Sequence, residues 1–99
     1  MMWRHGDVMI AAVNEIPEQA QLKPTAVLAL GELTGHSHRI EDAKTAEILD
    51  LNGKMFVRVT AEQARVVHQE HKPIVLPRGT YRYWFQREYT PQAIRRIID

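Results

Sequence analysis

The stretch Ala46-Glu47-Ile48-Leu49-Asp50-Leu51-Asn52-Gly53-Lys54-Met55-Phe56-Val57-Arg58-Val59-Thr60 decides the fold. Asn52-Gly53 divides two apolar-rich runs, and Asn-Gly suits a type I′ turn because both central residues take positive φ. A two-residue turn sets Leu51 opposite Lys54, Leu49 opposite Phe56, Ile48 opposite Val57, Glu47 opposite Arg58 and Ala46 opposite Val59. Ala46, Ile48, Met55, Val57 and Val59 then share one face, which is expected to be the core side. Leu49, Leu51 and Phe56 make the opposite face partly apolar, so a cover is expected there too, with another subunit as one candidate.

Upstream of this hairpin, residues 7–13 and 25–30 read as strands. Residues 15–24 are polar, contain Pro17 and Pro24, and read as a connection. Gly31 and Gly35 bracket a break, after which 36–41 can be extended. Downstream, residues 60–71 carry two patterns. Thr60 and Gln63 have capping-box spacing, and Ala64, Val67, His68 and His71 share a helical face. The β-branched pair Val66-Val67 and the nearby Pro73 favour an irregular or extended segment, and both alternatives stand. Pro77-Arg78-Gly79 signals a turn. Residues 81–89 then alternate as a long strand, with Tyr81, Tyr83, Phe85, Arg87 and Tyr89 on one face. Thr90-Pro91 suits the start of a last short helix through Ile97, an extended tail being the alternative. Turn signals at intervals of roughly 8–12 residues predict a mainly β fold. The expectation is a small antiparallel β barrel or sandwich with one or two short helices, in a single domain over 1–99.

Composition narrows the classes. Of 99 residues 44% are apolar and 25% charged, which supports a packed core rather than disorder. The net charge of +1 offers no bulk attraction to nucleic acid or to a membrane surface. Cysteine is absent, so disulfides and thiolate metal ligands are excluded. No apolar run approaches the roughly 20 residues that cross a bilayer. Residues 1–7 lack the charged and apolar regions of a signal peptide, and a cytoplasmic protein is expected.

Four histidines carry the main chemical signal. His36 and His38 are two apart, so on a strand both imidazoles point to one side. His68 and His71 are three apart and can converge on a helical turn or a tight loop. Neutral imidazole ligates zinc, copper, nickel and iron. His36, His38, His68 and His71 are therefore candidate ligands for a divalent transition metal, zinc first. If a coordination position stays open, the site suits metal-assisted hydrolysis or related Lewis-acid chemistry. Glu41 and Glu70 are the candidate catalytic carboxylates, as general bases, ligands or partners of an imidazole N–H. His5, near the terminus, receives no role. The plainer alternative is that these histidines are solvated polar groups of a non-enzymatic, homo-oligomeric interaction module.

Gly31, His36-Ser37-His38 and Glu41 together resemble the first motif of the cupins, a glycine followed by His-x-His and a glutamate. Pro77-Arg78-Gly79 is similar to the Pro-x-Gly of their second motif. The resemblance implies a small β barrel with a metal held by His36, His38 and Glu41. In the family a histidine after Pro-x-Gly completes the ligand set. Here Tyr81-Arg82-Tyr83 follows, and His68 or His71 has to serve instead.

A basic and aromatic run supplies a third reading. Arg78, Arg82 and Arg87 alternate with Tyr81, Tyr83, Trp84 and Tyr89, and Arg95 and Arg96 extend the patch. Aromatic faces stack on bases while arginines meet phosphates. Equally, the odd-numbered aromatics fit core positions of a strand. No glycine-rich phosphate loop is present. Ser37, the only serine, points away from its histidine neighbours on a strand, which argues against serine catalysis.

Overall fold

A computed structural model describes residues 2–30 and 36–85. In chain order these form β1 (Met2–His5), β2 (Val8–Ala12), β3 (Gln21–Lys23), β4 (Val27–Leu30) and β5 (Ser37–Ile40). A 3₁₀ turn (Ala43–Thr45) leads into β6 (Ala46–Leu51), β7 (Lys54–Val67) and β8 (Ile74–Phe85). The protein is mainly β, and among the described residues all strand pairings are antiparallel.

The Asn52-Gly53 hairpin adopts the expected register, with Leu51 opposite Lys54, Leu49 opposite Phe56 and Ala46 opposite Val59. Asn52 and Gly53 have φ of 51° and 90°, the positive pair a type I′ turn needs. Ala46, Ile48, Val57 and Val59 are buried, and Met55 packs at their margin. The opposite face is covered by the chain itself. Leu49 and Phe56 are buried with Ile16, flanked by Ala20 and Leu51. The 15–24 connection thus supplies the cover, and it also contains β3, which pairs with β6.

Residues 60–67 continue β7, so the helical alternative is corrected. Ala64 and Val66 are buried while Arg65 between them is exposed, a period of two. Pairing on both sides decides the conformation: Val66 meets Ile40 of β5 and Ile74 of β8. The expected turn at Pro77-Arg78-Gly79 is corrected as well, since these residues lie inside β8. Opposite them the register slips, with Val59 against Gly79 but Gln63 against Pro77. Proline donates no ladder hydrogen bond and is tolerated in sheets at such bulges, which bend the strand rather than reverse it.

That bend folds the long β7–β8 hairpin over on itself. The half near Asn52-Gly53 carries β6, β2 and β1, and the half near residues 68–73 carries β5 and β4. Buried residues of both halves form one cluster, with Val8, Ile10, Val57 and Tyr81 from the first and Leu28, Ile40, Val66 and Leu76 from the second. Tyr83 Oη donates across it to the Leu28 carbonyl at 2.9 Å. The strand order β1-β2-β8-β7-β5-β4 leaves both ends open, so the sheet is sandwich-like and not a closed barrel. Among the described residues the 3₁₀ turn is the only helical element, and no helix is long and apolar enough to cross a membrane. Gly31, the end of the expected last strand over 86–89 and the segment 90–97, for which a short helix and an extended tail are the alternatives, lie outside the described residues.

The folding-over has one geometric consequence for function. The hairpin tip at 68–73 is carried back to the end of β8 where Val8 pairs with Phe85. There it meets the turn between β1 and β2.

Candidate metal centre

Strand register brings the two histidine pairs together. β5 pairs with β7 so that Arg39 faces Val67 and Ile40 faces Val66. Continued outward by one step, that register sets His38 against His68, and by three steps His36 against Glu70. The contacts agree. The His38 and His68 ring centres are 4.4 Å apart, and His36 Nδ1 lies 3.9 Å from Glu70 Oε2. Between them Gln69 Oε1 accepts from the Ser37 amide at 3.0 Å, tying the 68–73 loop to the His-x-His strand. His71, further along the loop, stacks near both, 4.6 Å from His68 and 5.8 Å from His38 between ring centres.

One ligand atom from each of His38, His68 and His71 lies within 4.8 Å of the other two. A tetrahedral zinc ion with bonds of 2.0–2.1 Å spaces its nitrogens about 3.4 Å apart, a contraction that ring rotations can supply. His38 is buried, His68 half-buried and His71 exposed, so the group opens to solvent on one side. His36 stays outside this triad, beside His68 and Glu70. His68 Nδ1 accepts the Glu70 amide at 3.0 Å. In a neutral ring that contact puts the proton on Nε2, so ligation by His68 displaces it at a cost of about 1 kcal/mol.

The residue that the sequence reading missed is His5. It is buried, and its Nδ1 lies 2.9 Å from Nδ1 of the buried His38. Its ring centre is also 5.7 Å from that of His71. The signal was available in Gly6-Asp7. A two-residue turn there pairs His5 with Val8 and Trp3 with Ile10, so His5 shares the core-facing side with Val8 and Ile10. Gly6 has φ of +64°, and a Cβ at this position would sit 2.6 Å from His71 Nε2 and 3.1 Å from His38 Cε1. The backbone of this turn is thus the floor of the cluster, and only glycine leaves room for His71.

Electrostatics disfavours the protonated form of His38, His5 and His68. Burial, followed by the neighbouring His68, His5 and His71, pushes His38 down from 6.5 to about 4. Burial and then His71 lower His5, with the Lys72 backbone opposing. His68 is lowered by what burial it has and by His71, with Glu70 opposing. Neutral imidazole is the ligating form, so these shifts favour coordination over protonation near pH 7.

The other candidates sit elsewhere. The Glu41 carboxylate pairs with Arg65 Nε at 3.0 Å on the surface. Of the basic and aromatic run, Tyr81 and Tyr83 are buried in the core, and Arg82 lies over the Trp84 ring at 4.8 Å. Arg87, Tyr89, Arg95 and Arg96 fall outside the described residues.

Fold and site together define a small antiparallel β domain with a histidine cluster where the two ends of a folded-over sheet meet. The chain belongs to the family described as Domain of unknown function (DUF8820), whose model matches residues 4–86, a span containing all five histidines. No curated protein and no solved structure matches the chain.

Proposed function

We propose that this protein binds a divalent transition metal ion, zinc first, through His38, His68 and His71. The observation that carries the reading is the grouping of three imidazole nitrogens from two distant sequence motifs within 4.8 Å. Zinc accepts imidazole readily and imposes no electronic preference on geometry, which suits a set drawn from one strand and one loop. Held by these three residues, a zinc ion would supply Lewis-acid chemistry of the hydrolytic kind. Glu70, exposed in the same loop, is the carboxylate that would take up a proton there, and His36 Nδ1 lies 3.9 Å from its Oε2. The lack of cysteine is consistent with action in the cytoplasm.

The test is metal analysis of protein purified without a histidine tag, followed by zinc titration against a chromophoric chelator. One zinc per chain is expected, with binding lost in His38→Ala and His71→Ala. Metal content that stays far below one per chain after reconstitution would sink the proposal. In that case a melting temperature indifferent to zinc would leave the histidines as polar groups of an interaction surface.

A further inference from the structure

His5 has the wrong position for a fourth ligand and the right one for another task. It contacts His38 through Nδ1 on both rings, at 2.9 Å, and it does not belong to the triad of converging ligand atoms. One of these two nitrogens must carry the proton and the other accept it. If His5 donates, His38 Nδ1 is the acceptor, the His38 proton sits on Nε2, and His38 has no free lone pair for an ion. If His38 donates, its Nε2 lone pair is free, and the His5 proton sits on Nε2.

Ligation selects the second arrangement. With His38 Nδ1 engaged by His5, the nitrogen that His38 has left for an ion is Nε2, and its lone pair is free only when Nδ1 carries the proton. His5 then accepts at Nδ1 and holds its own proton on Nε2, which is buried and has no hydrogen-bond partner among the described residues.

We infer that His5 is a positioning residue of the metal site, accepting the His38 Nδ1 proton so that His38 presents its Nε2 lone pair to the ion. This rests on the metal reading proposed above and deepens it. A ligating imidazole commonly gives its other N–H to a carboxylate or carbonyl, which fixes the tautomer and the ring orientation. Here a second imidazole takes the acceptor's place. Binding of an ion at His38 Nε2 makes Nδ1–H a stronger donor, so the contact tightens when the site fills. The acceptor comes from β1 and the ligand from β5, which ties the terminal hairpin to the metal site.

Two measurements decide the point. In the metal-free wild-type protein, long-range ¹⁵N–¹H correlation spectra of the imidazoles are expected to show His38 with its proton on Nδ1. A His38 proton on Nε2 overturns the inference, and this readout needs no variant to fold. In the second, His5→Gln and His5→Phe are titrated with zinc and with cobalt(II). Glutamine keeps a carbonyl acceptor and phenylalanine keeps only the bulk. Zinc affinity is expected to fall about 10–100-fold in His5→Phe and to be largely kept in His5→Gln, with the cobalt absorption spectrum unchanged in shape. Unchanged affinity in His5→Phe overturns the positioning role. Equal loss in both variants with an altered cobalt spectrum overturns it in favour of direct ligation. Wild-type protein that takes up no zinc refutes the metal reading, and the tautomer in the metal-free protein still decides what His5 does.

Discussion

Gly6→Ala tests the geometry of the cluster through the backbone, without touching a histidine. Two effects separate cleanly. Gly6 has φ of +64°, where an L side chain strains the chain by about 1–2 kcal/mol. The new Cβ also lands 2.6 Å from His71 Nε2 and 2.9 Å from His71 Cδ2, distances that real Cβ atoms do not adopt. His71 is exposed, so its ring can swing outward at little cost in stability. In doing so it leaves the other two ligands. Gly53→Ala is the matched control, because Gly53 has φ of +90° and nothing within 4 Å of its Cβ position.

Both variants should lose about 1–2 kcal/mol, which for a domain of this size lowers the melting temperature by roughly 5–15 °C. Zinc affinity should differ between them. Gly53→Ala is expected to match wild type, while Gly6→Ala loses at least about tenfold through displacement of one of three ligands. Thermal melts of the metal-free proteins and competitive zinc titrations supply the two numbers. Equal zinc affinity in the two variants would refute the reasoning, because His71 would then not be a ligand held against the β1–β2 turn.

Acid should destabilise the metal-free protein over a defined window. Folded His38 is held down at about 4 against an unfolded value of 6.5, so the unfolded chain binds more protons below that value. Stability is therefore complete above pH 6.5 and falls toward pH 4, by on the order of 3 kcal/mol from His38 alone, with His5 and His68 acting in the same direction. Urea unfolding at intervals across that range measures the slope, and a flat profile contradicts the buried neutral imidazole. Ile16→Ala removes the cover of Leu49 and Phe56 and should cost about 2 kcal/mol, at the low end for core truncations because this cluster is small; a loss near zero by denaturant titration would show that the 15–24 connection does not seal that face. Glu41→Gln should leave zinc affinity unchanged and cost under about 1 kcal/mol, since the carboxylate is spent on a surface pair with Arg65. A large drop in zinc affinity would bring Glu41 into the site.

How much the residues disclosed in advance depended on the range of the interaction. The β6–β7 hairpin was legible because Asn52-Gly53 sets its own register and every partner follows by counting. Residues 60–67 were not, because a helical face and a strand face overlap there. Long-range pairing of Val66 with Ile40 and Ile74 decided between them. Pro77-Arg78-Gly79 carried the residues of a turn, yet a partner strand with two extra residues absorbed them as a bend. Of the site, His36 and His38 were visible as a pair, but their meeting with His68 follows from β5–β7 register. His5 is missed because reading residues 7–13 as a strand gives it no partner on its N-terminal side, whereas Gly6-Asp7 is a hairpin turn that pairs His5 with Val8 and puts it on the inner face.

The same contacts explain why packing alone is a poor account of the cluster. His5 and His38 are 2% and 5% exposed, in positions where an apolar side chain of similar size would pack without a polar atom to satisfy. Instead the fold buries two imidazoles, leaves His5 Nε2 without a hydrogen-bond partner among the described residues, and sets His71 where it disfavours a proton on His38 and on His68. An orphaned buried nitrogen alone costs about 1–3 kcal/mol. It also reserves a glycine at the β1–β2 turn so that His71 can approach. Each of these is a loss to the domain by itself. On the proposed metal reading a cation among the three candidate nitrogens would offset them: neutral rings would become donors, the lowered proton affinity would reduce competition for the ion, and the His5–His38 contact would brace the ligand.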